Sequence, residues 1–309
     1  MALDPSYLRY DMRRYGMDHD RYTWSPLPTR PNVVWPGGAK VALWISVHLE
    51  FFPLNPAGTP FKLPGGMVTP YPDLRHFTLR EYGNRVGVQR LLRLFERLQL
   101  RASFPTNAAV ARRIPSLLRD LGGHELVGHG RDMDHPHYGG MEEAAERALI
   151  ADSLATLRDV SGQAVDGWIS PGKSESQRTP ELLVENGVRW FGDWINDDMP
   201  YQFVTANGSL VAMPHSSELS DRQILIDYRH AESEFADQIL DQHAFLAREA
   251  AATGGGRILA LTLHPWVIGQ PHRIGALERA LETVLGSAWN VTGGELCRVW
   301  EAQQKLSGG

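Results

Sequence analysis

One histidine of this chain directly follows a strongly apolar segment. The segment spans residues 258–263, and His264, Pro265 and Trp266 come next. An apolar run of this length predicts a buried strand, and Pro265 would end its hydrogen-bond ladder because proline has no N–H group. An imidazole at the open end of a sheet or barrel is suited to acid–base chemistry near neutral pH. The alternative is a structural histidine that only caps the strand.

Several other predicted strands also end in polar side chains. Strands and helical segments alternate along the chain, and the strands are continuous apolar runs, which is typical of a parallel sheet covered on both faces. The carboxyl ends of the strands in a parallel barrel meet at one face, so these polar residues would form one site. They are Glu50, Asn107, His129, Ser170 to Lys173, Asp193, His215 with Glu218, and His264.

A barrel of parallel strands is the simplest closure of this pattern. The sequence therefore predicts an α/β fold, a (β/α) barrel of seven or eight parallel strands. A flavodoxin-like open sheet is the alternative, but no glycine-rich phosphate loop follows the first strand, predicted at 39–47. Because no linker interrupts the alternation, residues 37–309 are predicted to form a single catalytic domain. Two loops, at 52–75 and 194–209, are expected to determine substrate specificity.

Residues 1–36 are predicted to form an extended N-terminal arm. The segment has many prolines, and its aromatic residues are too numerous for a solvated tail. We expect it to pack on its own barrel or on a neighbouring subunit, so a homo-oligomer formed through this arm is predicted. The aromatic residues are Tyr7, Tyr10, Tyr15, Tyr22 and Trp24.

Composition excludes several classes of partner. The net charge of −5 gives no basic surface for nucleic acid or anionic membranes. No apolar run approaches the roughly 18 residues that span a bilayer, and the N-terminus lacks the pattern of a signal peptide. Cys297 is the single cysteine, so no internal disulfide can form. These features favour a cytoplasmic protein whose partner is a small-molecule substrate.

Two of the strand-end residues have surroundings that suit catalysis. Glu50 stands among apolar residues, where a buried carboxylate could act as a general base; an ion pair with an arginine such as Arg85 is the alternative. His129 lies between two glycines, which allow close approach of a backbone or a ligand. Lys173 could stabilise an oxyanion, and Trp266 could form the wall of a pocket for a flat ring.

Residues 132–137 contain two aspartates and two histidines. The segment invites interpretation as a metal site, with Asp132 and His135 as candidate ligands beside His129. Its histidines lack the i, i+4 spacing of a pair on one helix face. A solvated loop is therefore the alternative.

Four segments of the chain resemble the polysaccharide deacetylase superfamily, and within it the allantoinase and cyclic-imide-hydrolase-like branch. The resemblance implies a distorted (β/α) barrel of seven or eight strands and hydrolysis of carbon–nitrogen bonds other than peptide bonds. It also implies that His264 is a proton donor beside the reacting group. The four segments are 82–88, 128–130 with 138–144, 167–170, and 263–274.

The chain departs from this family at the metal-binding positions. Metal-dependent deacetylases of the superfamily have an Asp-Asp pair after the first strand, where this chain has His48-Leu49-Glu50. They also have a His-x-x-x-His pair, whose second position here is Met133. A methionine is not a plausible ligand for a hard or borderline cation. No cofactor is therefore favoured, although a zinc ion held by Glu50, His129 and one of Asp132 or His135 stays possible.

The favoured hypothesis is a hydrolase of a small amide, imide or ureide, which we expect to be cyclic. Glu50 would activate water or orient the substrate. His129 would bind the carbonyl oxygen or help to hold the water, and His264 would protonate the departing nitrogen. A metal-dependent N-deacetylase of an amino sugar or polysaccharide is one alternative, and a non-catalytic ligand-binding barrel is another. The substrate-binding residues predicted around the three catalytic ones are Arg85, Ser170, Lys173, Asp193 and Trp266.

Overall fold

A computed structural model describes residues 19–57, 70 and 72–307, and these residues form one curled sheet surrounded by helices. The strands are β1 (Val41–Val47), β2 (Ser103–Thr106), β3 (Glu125–Gly128), β4 (Gly167–Trp168), β5 (Trp190–Phe191), β6 (Tyr201–Thr205), β7 (Gly208–Ala212), β8 (Arg257–Leu263) and β9 (Ala288–Val291). The α-helices are α1 (Leu74–Tyr82), α2 (Val88–Leu98), α3 (Ala108–Arg113), α4 (Pro115–Asp120), α5 (Glu143–Ser161), α6 (Thr179–Glu185), α7 (Glu232–Thr253), α8 (Ile274–Leu285) and α9 (Gly293–Ser307). Two π-helical turns, Gly83–Gly87 and Arg222–Asp227, lie between them.

The strands follow the order β6-β7-β5-β4-β3-β2-β1-β8, and β9 also pairs with β1. All these pairs are parallel except β6 with β7. In the described part of the chain, the bridge between Ser220 and Thr262 is the only pairing that joins the β7 side to β8. The sheet therefore forms a curled, incompletely closed barrel, and the predicted distorted (β/α) barrel is confirmed.

One strand was not predicted, and it is not parallel. β6 lies within residues 194–209, which the sequence indicated to be a loop, and it forms an antiparallel hairpin with β7. Phe203 and Thr205 are buried, whereas Gln202 and Val204 are exposed. Because the inward side chains of this edge strand alternate with outward ones, it has no continuous apolar run of the kind used to find the other strands.

Strands β1 and β8 send alternate side chains to two different layers. On β1, Leu43 and Ile45 join the larger apolar cluster that includes residues of the surrounding helices, whereas Ala42 and Trp44 join a second, smaller cluster. β8 pairs with β1 in register along its whole length. The row that Ala42 and Trp44 begin becomes polar toward the carboxyl end, where Ser46 is followed by His48. This change from apolar to polar places the chemically active side chains at one end of the sheet.

Residues 19–36 lie along the barrel. The backbone N–H of Val204 donates to the carbonyl of Arg21 at 2.7 Å, and the Arg30 guanidinium pairs with Asp197. Trp35 is buried, and its indole N–H donates to the carbonyl of Arg257 at 2.9 Å. Tyr7, Tyr10 and Tyr15 lie outside the described residues, and an oligomer formed through this arm stays a prediction.

No α-helix in the described ranges is both long enough and apolar enough to cross a bilayer.

Candidate active site

Three side chains at the carboxyl ends of β1 and β8 converge. His48 and Glu50 follow β1, and His264 follows β8. One nitrogen or oxygen atom from each lies within 4.8 Å of the others. The His264 Nε2 atom is 4.0 Å from Glu50 Oε1, and the rings of His48 and His264 stack with their centroids 5.1 Å apart. The parallel pairing of the two strands therefore brings together residues more than 200 positions apart.

A fully buried aspartate holds His264 from behind. Asp221, one residue before the π-helical turn 222–227, accepts from His264 Nδ1 at 2.7 Å and from the His264 backbone N–H at 2.8 Å. Burial disfavours the charged imidazole, but the Asp221 carboxylate and, to a smaller extent, Glu50 outweigh this effect and raise the pKa of His264 above its ordinary value. Because Nδ1 is occupied, the protonated ring offers Nε2–H toward Glu50.

His129 is in the opposite protonation state. Its Nδ1 lies 2.5 Å from the carbonyl of Ile169, which can only accept a hydrogen bond, so Nδ1 carries a proton. Burial lowers the pKa of the ring, so Nε2 is unprotonated. Nε2 is buried and has no hydrogen-bond partner among the described residues. It can therefore accept a hydrogen bond from water or bind a metal ion, but it cannot donate to a carbonyl oxygen.

A further imidazole, that of His215, lies against His48. His215 follows β7, and its Nε2 is 2.7 Å from Ser46 Oγ and 3.4 Å from His48 Nε2. Burial, together with the neighbouring histidines and Lys173, lowers the pKa values of His48 and His215 well below the ordinary range. Both rings are therefore neutral near pH 7, and His264 is the one imidazole of the group that favours the charged form.

The glycines of segment 82–88 pack directly against the loop that carries His264. A Cβ atom on Gly83 would lie 2.7 Å from the Trp266 backbone nitrogen, and one on Gly87 would lie 2.0 Å from the Pro265 carbonyl oxygen. Segments 82–88 and 263–274, two of the four that carry the family resemblance, are thus in contact. Only glycine allows so close an approach. Asn84, between these glycines, donates from its side chain to the carbonyl of Glu50 at 2.9 Å.

Three of the predicted substrate-binding residues, Ser170, Lys173 and Asp193, lie in the loops that follow β4 and β5. Ser170 donates its backbone N–H and its hydroxyl to the two carboxylate oxygens of Asp193, each at 2.7 Å. Burial raises the pKa of Asp193 to about 6 and lowers that of Lys173 to about 8. Lys173 Nζ donates to the carbonyl of His215 at 2.6 Å and to Ser217. It therefore links the loop after β4 to the loop after β7.

The other two predicted substrate-binding residues, Trp266 and Arg85, lie near residues of α1. Trp266 is buried, with its ring centroid 6.4 Å from that of His264 and 4.4 Å from the guanidinium carbon of Arg80. Arg85 is exposed and lines a surface pocket with residues of α1, including Phe77 and Tyr82. The structure thus brings Trp266, but not Arg85, next to His264.

The loop 132–137 contributes no ligand to the convergent group. Asp132 accepts from His135 Nδ1 at 2.6 Å. His137 is completely buried, 3.4 Å from a carboxylate oxygen of Glu146, which also accepts hydrogen bonds from Ser176 and Thr179. The side chains of Asp132 and His135 thus bind each other rather than the convergent group, and a metal ion on this segment stays a prediction.

Among the described residues, one group has three ligand atoms close enough together to hold a metal ion, and its members are His48, Glu50 and His264. Two imidazoles and one carboxylate are a common donor set for zinc, and Asp221 behind His264 is the carboxylate that often orients a histidine ligand. The donor set therefore fits a zinc ion. It differs from the predicted set of Glu50, His129, Asp132 and His135, of which only Glu50 is a member of this group.

Sequence reasoning assigned no role to three residues of the site. His48 was noted only as a departure from the family pattern, and His215 was grouped with the strand ends without a role. The alternation of inward side chains along β1 could have assigned His48, since it lies in the same row as Trp44. Asp221 gave no signal because the segment around it has neither strand nor helix periodicity.

No family model matches the chain. A peptidoglycan deacetylase of Helicobacter pylori is 25% identical over 142 residues, which are 45% of this chain, and the chain spans about half (48%) of the length of that curated relative.

Several solved structures share the fold over most of the chain. Puue allantoinase has 25% identity and a TM-score of 0.75, covering 88% of this chain and 94% of its own. A probable polysaccharide deacetylase from Pseudomonas aeruginosa PAO1 has 26% identity and a TM-score of 0.76, covering 89% and 95%. The chain therefore resembles the polysaccharide deacetylase superfamily and, within it, the allantoinase-like branch, as its motifs predicted.

Proposed function

We propose that this protein is a hydrolase of a carbon–nitrogen bond, other than a peptide bond, in a small cyclic amide, imide or ureide. The class of enzyme is supported by the names of the relatives, a peptidoglycan deacetylase and an allantoinase. The observation that carries the proposal is the position of His264, fixed by Asp221 on one side and facing Glu50 at 4.0 Å on the other. A general acid and a general base at this separation are what hydrolysis of an amide requires.

The reaction follows from these groups. Glu50 takes a proton from a water molecule, and the oxygen of that water attacks the carbonyl carbon of the ring. The π electrons of the carbonyl group move to the carbonyl oxygen. When the tetrahedral intermediate collapses, the carbon–nitrogen bond breaks and the departing nitrogen takes the proton from His264 Nε2. The ring opens to a carboxylic acid and an amine, an amide or a urea nitrogen, according to the substrate. Glu50 then loses its proton and His264 regains one, which restores the starting state. Of the two roles predicted for His129, only holding the water suits its unprotonated Nε2.

A metal-dependent N-deacetylase is the second candidate, and the cluster of His48, Glu50 and His264 favours it. A zinc ion held there would act as a Lewis acid and lower the pKa of a bound water. The name of the H. pylori relative also agrees with this candidate. In that case Glu50 and His264 would be ligands, so neither would be free to move protons.

A substrate panel assayed with and without a chelator separates the candidates. We expect the protein to open a cyclic ureide such as allantoin, or a cyclic imide, at a rate that the chelator leaves unchanged. Release of acetate from an N-acetylated amino sugar, lost on chelation together with stoichiometric zinc by elemental analysis, would instead establish the deacetylase. Thermal stabilisation by a panel member without any turnover would contradict both and leave a binding protein.

A further inference from the structure

One buried arginine contacts both of the loops that carry the proposed acid and base. Arg80 lies in the last turn of α1 and is 3% exposed to solvent. Its guanidinium carbon is 4.6 Å from the ring centroid of Phe52 and 4.4 Å from that of Trp266. Phe52 comes two residues after Glu50, and Trp266 comes two residues after His264. The guanidinium therefore joins the loop after β1 to the loop after β8.

The chemistry of these two contacts suits a fixed connection. The guanidinium of an arginine is planar and stacks on the faces of aromatic rings. The ring face is negative, so it attracts the cation, and the attraction is stronger where water is excluded. Arg80, Phe52 and Trp266 are all buried, so both contacts are made away from solvent.

The residues that follow Arg80 hold the same two loops. The side chain of Asn84 donates to the carbonyl of Glu50 at 2.9 Å. A Cβ atom on Gly83 would lie 2.7 Å from the backbone nitrogen of Trp266, so the two backbones are in close contact. The end of α1 and the π-helical turn after it thus form one support for both loops, and the Arg80 side chain contacts both at once.

We propose that Arg80 is a positioning residue that holds the loop after β1 against the loop after β8. By fixing both aromatic rings it sets the distance between Glu50 and His264, which is 4.0 Å from Oε1 to Nε2. The inference rests on the proposed function. A displacement of about 1 Å between reacting groups can lower a rate about 10²-fold, so a residue that fixes this distance would control the rate without touching the reacting atoms.

Crystal structures of variants test the proposal without requiring turnover. Arg80→Met keeps the length of the side chain and removes the guanidinium, and we expect the distance between Glu50 Oε1 and His264 Nε2 to increase by about 1 Å. Arg113→Met is the matched control. The guanidinium carbon of Arg113, on α3, lies 4.6 Å from the ring centroid of the adjacent Phe51. Its loss should leave the distance between the acid and the base unchanged.

The rate of ring opening is measured in the same variants. We expect kcat to fall roughly 10²-fold in Arg80→Met and to stay within about twofold in Arg113→Met. The change in KM should be smaller than the change in kcat, because the acid and the base act in the transition state. Phe52→Leu removes one of the two rings and should also increase the distance and lower kcat. It decides the question if Arg80→Met does not fold.

An unchanged distance in folded Arg80→Met, or an equal increase in Arg113→Met, would overturn the proposal. So would a lower melting temperature of Arg80→Met with an unchanged kcat per folded molecule, because the contact would then only stabilise the fold. If Arg80→Met does not fold, an unchanged distance and kcat in Phe52→Leu would have the same meaning. If the unchanged protein opens no ring but the distance still increases in Arg80→Met, the proposed function fails while the positioning role of Arg80 stands.

Discussion

Asp221 binds His264 through both of its carboxylate oxygens, one to the ring Nδ1 at 2.7 Å and one to the backbone N–H at 2.8 Å. The double contact fixes the ring and its loop together, so Nε2 has one direction in which to donate. The buried negative charge also opposes the loss of the ring proton. We therefore predict that the aspartate is a positioning residue, which holds His264 in the orientation and protonation state that the proposed acid needs.

Asp221→Asn should change the pH dependence of the reaction. The raised pKa keeps His264 protonated to a higher pH, and activity is lost as the pH rises through that pKa. Without the carboxylate the burial penalty is unopposed, so the pKa falls and the alkaline limb of kcat/KM moves to lower pH. We expect a loss of about tenfold or more on the alkaline side. Asp227→Asn, at the end of the same π-helical turn, is the control, and a limb that does not move in Asp221→Asn would argue against the assignment.

Gly87→Ala should destabilise the fold and displace the His264 loop. The added Cβ would lie 2.0 Å from the carbonyl oxygen of Pro265, and backbone cannot rotate away as a side chain can. Overpacking of this kind costs about 1–3 kcal/mol, which calorimetry would record as a lower melting temperature. Gly122→Ala is the matched control, because its Cβ would have an ordinary contact of 3.6 Å. Equal melting temperatures of the two variants would refute the packing argument.

Glu146→Ala should unfold at a much lower temperature than the unchanged protein. Burial alone would raise the pKa of Glu146, but hydrogen bonds from His137, Thr179 and Ser176 outweigh it and hold the pKa below its ordinary value. Removing the carboxylate leaves the buried Ser176 and Thr179 hydroxyls without their acceptor, which costs about 1–3 kcal/mol for each unsatisfied group. Glu143→Ala, on the exposed side of the same helix, should change stability by less than about 0.5 kcal/mol. Similar stability of the two variants would show that this buried network is not needed.

Local patterns in the sequence predicted much of the fold. Continuous apolar runs located β1 and β8 to within two residues, because both strands are buried along their whole length. β6 was missed because its buried and exposed residues alternate, as expected of an edge strand. α1 was not predicted either, since it begins inside the segment that the sequence indicated to be a long loop, after the N-cap Asp73.

The candidate site was predicted only where a residue directly follows a strand. Glu50, His129 and His264 are of this kind. Asp221 lies 43 residues before its partner and outside any regular strand, so no local pattern connects the two. Asp132 and His135 were placed near the site by sequence proximity to His129, but their side chains bind each other. Contacts of this kind depend on how separate loops pack against each other, and local patterns in a single sequence do not predict that packing.

The direct test of the account is the rate of ring opening by the unchanged protein and by His264→Ala. A panel of cyclic amides, imides and ureides would be assayed for kcat and KM, with melting temperatures as the control for folding. We expect turnover of at least one ring and a loss of roughly 10²-fold to 10⁴-fold in kcat for the variant. Nearly full activity of a folded His264→Ala protein would contradict the central claim that this histidine is the acid.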